Sequence, residues 1–199
     1  MSQREIHHPM PTPWLKRIAT TGQLTVFNKA GAWTDSVNQA MASFNNLAFG
    51  VTLVAGKKES SADVVVLLAH GPQQYTHGPD TTQTTMDFTV ERLHGETRTL
   101  IDDNLHAIYF AAVFLPGKNK KPTKGQKEVI TVHEFIHACG VEEHETSSHA
   151  GIMYDIMTPD GDGLKEPTPD GEKMPPIRVG PKTLCRIQSI WSGAKTCNP

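Results

Sequence analysis

No apolar run in this chain approaches the roughly 20 residues that a bilayer-spanning helix needs, so a helical membrane span is not expected. The opening stretch, MSQREIHHPMPTPW, has no apolar segment of the secretory type. Localisation stays open between a cytoplasmic protein, one exported by a non-classical route and a mature fragment. A surplus of positive charge is also missing: net charge is −2 and the pI is about 6.5. That argues against a broad nucleic-acid-binding surface and against a polybasic membrane anchor. With only three cysteines among 199 residues, no disulfide framework is at hand, and a chain of this length does not need one to build a core. No G-x-S-x-G elbow, P-loop or dinucleotide fingerprint occurs.

What is present is one domain's worth of chain, with 37% hydrophobic and 20% charged residues. The 14 prolines and 16 glycines point to long ordered loops. Residues 1–14 read as a polar arm. Strands are expected at 23–28 (QLTVFN), 51–55 (VTLVA) and 62–69 (ADVVVLLA), the last with the continuous apolar run of a strand buried on both faces. Between the first two, residues 32–49 place Trp33, Val37, Ala40, Met41, Phe44 and Leu47 at helical spacing, with Gly50 as the stop. Residues 70–86 carry Gly71, Pro72, Gly78 and Pro79 and read as a loop. Further strands are expected at 86–90, 97–101 and 106–115. A basic solvated loop (117–127) leads to a helix at 126–139, ended by Gly140. The stretch 141–181 offers no convincing element, and a last helix at 182–191 carries Leu184, Ile187, Ile190 and Trp191 on one face. Helices alternate with strands only at the start. An α+β fold, a sheet backed by two helices, is therefore preferred to a doubly wound one. Cys139 reads as a small buried thiol. Cys185 and Cys197 could staple the final helix to the tail or remain reduced.

Ten histidines are many for this length, and two of them lie in QKEVITVHEFIHACG (126–140). On a helix, Val129, Val132, Ile136 and Cys139 form one core-facing stripe. His133 and His137 lie one turn apart on a neighbouring face, where their imidazoles can converge on one cation. Glu134 stands beside that site without being one of its ligands, placed to accept a proton from metal-activated water and to pass it to a leaving amine.

The run H-E-F-I-H-A-C-G-V-E-E-H, followed by G-I-M-Y-D, resembles the metzincin clan of zinc endopeptidases over about residues 129–157. Its local pattern is most similar to that of the matrixins. The resemblance implies a zincin-like fold, with a twisted mixed sheet, two helices, a Met-turn and a C-terminal helix. It implies a single catalytic domain divided at the active-site helix into an upper part (1–140) and a lower part (141–199). Zn2+ would be the one catalytic metal. His133 and His137 would be ligands, Glu134 the general base and acid, and Gly140 the residue that permits the turn below the site. Met153 would form the floor under the metal, with Met157 as the competitor.

The third ligand departs from the clan's spacing. Glu143 stands at the position that a histidine or aspartate takes in the clan, and His144 follows it. A one-residue insertion with His144 as ligand is preferred; Glu143 as an oxygen ligand and His149 after a longer excursion stay open. Glu145 would follow His144 as a glutamate does in astacins. Tyr154 comes one residue after Met153, where some metzincins have a tyrosine two after. It is either a packing residue or a contact to the metal or oxyanion.

Matrixins carry structural metals in a loop comparable to that of His70, His77 and Asp80, but the residue order fits poorly, and a second structural metal is not expected. The DGDG at 160–163 lacks the other calcium-loop positions. Residues 158–180 would wall the cleft. The expected activity is zinc-dependent endopeptidase, on a protein or peptide lying antiparallel to a sheet edge at 86–90, 97–101 or 106–115. Nucleic acid and membrane are not expected partners, and an inhibitor or immunity-type partner stays open. The alternatives are a non-catalytic metal-binding protein that retains the fold, or a zinc hydrolase with a non-peptide substrate.

Overall fold

A computed structural model of the chain describes residues 11–78, 81–89, 95–117, 122–141, 158–159, 177–179 and 181–192. In chain order these form α1 (Lys16–Ala19), β1 (Gln23–Asn28), α2 (Thr34–Asn46), β2 (Thr52–Ala55), β3 (Val64–Ala69), β4 (Gly71–His77), β5 (Thr82–Phe88), β6 (Glu96–Asp102), β7 (Ala107–Pro116), α3 (Lys124–Ala138), β8 (Thr158–Pro159), β9 (Ile177–Arg178) and α4 (Pro181–Trp191). The fold is α+β with a mixed sheet. No helix among the described residues is long and apolar enough to cross a membrane.

The main sheet has the order β2-β1-β3-β7-β6. The first four strands are parallel, and β6 runs antiparallel to β7 at one edge. The strands β3 and β7 are buried on both faces, as the unbroken apolar runs of 62–69 and 106–115 require. Val64, Val66, Val113 and Leu115 enter one core with α2 and α3. Val65, Leu67, Ala112 and Phe114 enter a second core on the other face.

The second core corrects one expectation. Residues 71–77 and 82–88 are not a loop but an antiparallel hairpin, β4 with β5, from Gly71 opposite Phe88 to His77 opposite Thr82. Its glycines and proline are compatible with that. Gly71 (φ +60°) starts it, Gly78 (φ +72°) and Thr81 (φ +52°) sit at its turn, and a two-stranded ribbon always has an unpaired side that tolerates Pro72. Inward alternation of Tyr75, His77 and Phe88 covers the sheet.

The helix α2 is shorter than its periodicity implies. A 3-10 turn occupies Gly31–Trp33, and the helix ends before Leu47. There Ala48 turns left-handed at φ +53°. The Asn45 amide donates to the Leu53 carbonyl and accepts from its N–H, at 3.0 and 2.8 Å, tying the helix end to β2. The helix α3 begins two residues earlier than expected because Thr123 and Gln126 form a reciprocal capping box. Its stripe of Val129, Val132, Ile136 and Cys139 is buried as expected. So is the apolar face of α4, with Ile187 and Trp191 in the same core and Leu184 and Ile190 packed against it. A further difference lies in 141–181, where β8 and β9 pair.

The expected arm is not wholly an arm. Trp14 is buried and bridges Ile108 of β7. The last carbonyls of α3 would otherwise be orphaned inside the protein. The Trp14 indole donates to Ala138 at 2.9 Å, the Trp191 indole to Cys139 at 3.2 Å, and the Thr12 N–H to Gly140 at 3.0 Å. Both ends of the described chain thus clamp the end of α3.

Candidate metal centre

The side chains of α3 that face away from its stripe make the site. His133 is 7% exposed and Glu134 3%. The Nε2 atoms of His133 and His137 lie 3.0 Å apart, with the two rings nearly perpendicular at 80°. The Nδ1 of His137 is 2.6 Å from the Val141 carbonyl oxygen. A carbonyl can only accept, so Nδ1 carries the hydrogen and Nε2 of His137 presents its lone pair. A backbone carbonyl behind an imidazole is the usual support of a metal-ligating histidine.

The chain can place that carbonyl because of Gly140. At φ +103° the backbone turns back immediately after the helix. A Cβ there would run into the Thr12 carbonyl oxygen and come within 3.1 Å of Ile190 Cδ1. Glycine is needed at this point both for the turn and for the close approach. This is the role expected for it from the sequence.

The Glu134 carboxylate faces the edge strand β6. Its Oε2 accepts from the Thr97 hydroxyl at 2.6 Å, and the same hydroxyl lies 3.0 Å from the Glu134 carbonyl oxygen. Burial pushes the carboxyl up to about 7; the Thr97 hydrogen bond opposes this and the charge of Glu96 adds to it. A divalent cation alongside would act in the opposite direction, favouring the ionised form.

Two converging imidazole nitrogens, one ring backed by a carbonyl, suit zinc's preference for nitrogen donors. They are not a complete set. Among the described residues no three His, Cys, Asp or Glu side chains gather to hold a metal ion. The third-ligand candidates Glu143, His144 and His149 lie outside the described residues, as do Glu145, Met153, Tyr154, Met157, Asp80 and the DGDG at 160–163.

His77 departs from the solvated-loop reading given to it. It is 9% exposed, with Nε2 2.9 Å from Thr84 Oγ1 and Nδ1 3.4 Å from the Tyr109 hydroxyl. Its ring packs against Phe110 and Tyr75. His70 is exposed at the strand junction. Cys139 is a buried free thiol whose pKa burial pushes up, so it is inert rather than reactive. Cys185 is disulfide-bonded; Cys197 lies outside the described residues.

Sequence reasoning missed Thr97, which meets Glu134 from 37 residues away. It also missed Gly95, where an added Cβ would lie 2.5 Å from Glu134 Oε1. No local pattern marks either residue.

No family model matches the chain, and no curated protein matches it.

Proposed function

We propose that this protein is a zinc-dependent endopeptidase of the metzincin type, with residues 1–140 and 141–199 as the upper and lower parts of one catalytic domain. The observation that carries the reading is the approach of His133 Nε2 to His137 Nε2 at 3.0 Å, with the buried Glu134 on the same helix. A purely structural zinc has no use for a neighbouring carboxylate and takes four protein ligands. The third ligand is proposed to be His144, with Glu143 or His149 in its place if the turn is shorter or longer. Met153, or else Met157, would floor the site, and Tyr154 would face the metal or oxyanion.

When bound, zinc supplies Lewis acidity, which polarises a scissile carbonyl and acidifies water. His137 keeps its Nε2 lone pair directed at the site through the Val141 carbonyl on Nδ1. Glu134 takes the proton of the attacking water and delivers it to the leaving amine nitrogen. With Oε2 engaged by Thr97, that proton exchange falls to Oε1. The peptide lies along β6, an edge strand of the main sheet, held by main-chain hydrogen bonds.

The test is hydrolysis of an unfolded protein substrate by zinc-loaded protein, with and without a chelator, for wild type and Glu134→Ala. Chelation should abolish turnover. The substitution should keep zinc and lower turnover by ~10²–10⁴-fold or more. Equal turnover in the variant removes the catalytic reading and leaves a metal-binding protein.

A further inference from the structure

We infer that Gly95, immediately before β6, and Thr97 of β6 form the seat of the Glu134 carboxylate and act as positioning residues for its proton transfer. The inference rests on the peptidase reading above and adds two residues to its machinery. Gly95 and Thr97 are two apart in an extended segment, so they share one face of it, here the face toward α3. Glu96, between them, pairs instead with Arg98 at 2.7 Å.

The two residues do different things to the two carboxylate oxygens. The Thr97 hydroxyl donates to Oε2 at 2.6 Å and also lies 3.0 Å from the Glu134 carbonyl oxygen. The hydroxyl's single hydrogen goes to the nearer acceptor, so Thr97 pins the side chain of Glu134. Gly95 supplies room. A Cβ there would lie 2.5 Å from both Oε1 and Cγ and 2.6 Å from Cδ of Glu134. Its φ is not in the left-handed region, so the glycine is required by the carboxylate packed on it rather than by backbone torsion. The long, flexible glutamate side chain is thus held in one orientation, with one oxygen bound and the other against a bare Cα. Displacing a reacting group by about 1 Å can cost ~10²-fold in rate. Because β6 also lies at an edge of the sheet, the strand that aligns the substrate backbone also aligns the base.

The test uses the full chain, zinc-loaded, as wild type, Thr97→Val, Thr97→Ser and Gly95→Ala. For Thr97→Val, kcat should fall about 10- to 100-fold with KM and zinc content unchanged. Thr97→Ser, which keeps the hydroxyl, should stay within roughly threefold of wild type. Gly95→Ala should lose kcat with zinc retained. An activity-independent arm measures Tm of zinc-free protein. Thr97→Val should lower it by roughly 3–10 °C in the wild-type background but not in a Glu134→Ala background. The inference is overturned if Thr97→Val matches wild type in kcat, if Thr97→Ser is as impaired as Thr97→Val, or if the Tm losses are equal in both backgrounds. If zinc-loaded wild type hydrolyses nothing, the peptidase reading fails and this inference falls with it. If wild type is active and the Thr97 variants are indifferent, only this inference fails.

Discussion

The two faces of the main sheet each bury histidine, and they do so differently. On the hairpin face, His77 sits among Tyr75, Tyr109 and Phe110, and each ring nitrogen meets a hydroxyl, from Thr84 or Tyr109. A hydroxyl can donate or accept, so that imidazole is satisfied within its own core. On the helix face, His137 spends one nitrogen on the Val141 carbonyl and turns the other toward His133. The two Nε2 atoms then approach each other on the helix that also carries the buried Glu134. Burial alone therefore does not distinguish the two cases: the His77 nitrogens meet hydroxyls, whereas the Nε2 atoms of His133 and His137 approach each other.

The largest expected effect breaks the comparison outright. His133→Ala and His137→Ala should each abolish stoichiometric zinc binding, measured by elemental analysis after dialysis, whereas His77→Gln should retain it. Zinc lost equally from the His77 variant would erase the distinction between the faces. Next is Gly140→Ala, which combines a left-handed backbone with a clash against the Thr12 carbonyl. It should cost about 3 kcal/mol in urea unfolding. Trp14→Phe leaves the buried Ala138 carbonyl without its indole donor and should cost about 1–3 kcal/mol in the same assay.

The smallest effect sharpens the hairpin side. Burial lowers the His77 pKa from its ordinary 6.5, so the folded state binds the proton less readily than the unfolded chain. Stability from this residue is present above 6.5 and declines as pH falls through 6.5 toward the lower folded value. Urea midpoints at pH 7 and pH 5 should differ less in His77→Gln than in wild type.

Much of the helix face was legible in the sequence. The stripe of α3, the one-turn spacing of His133 and His137, the adjacent Glu134 and the stop at Gly140 are all local patterns, and an α-helix converts such spacings directly into positions. The same holds for the apolar faces of α2 and α4. The hairpin was not legible, because Gly71, Pro72 and Gly78 carry the composition of a loop. Only the register of β4 on β5, with Tyr75 and Phe88 inserted over β3 and β7, makes those residues part of a sheet.

Composition and periodicity were sufficient for an α+β chain with one helix presenting two imidazoles and a carboxylate, since those features depend on neighbours within a few residues. The seating of Glu134 on Gly95 and Thr97, the Val141 carbonyl behind His137 and the indole caps on Ala138 and Cys139 were settled by packing. The Glu134 and indole partners are dozens of residues apart, and the Val141 contact needs the turn after Gly140. Such contacts arise when buried polar groups must find donors and acceptors inside the protein, a demand that arises only once water is excluded.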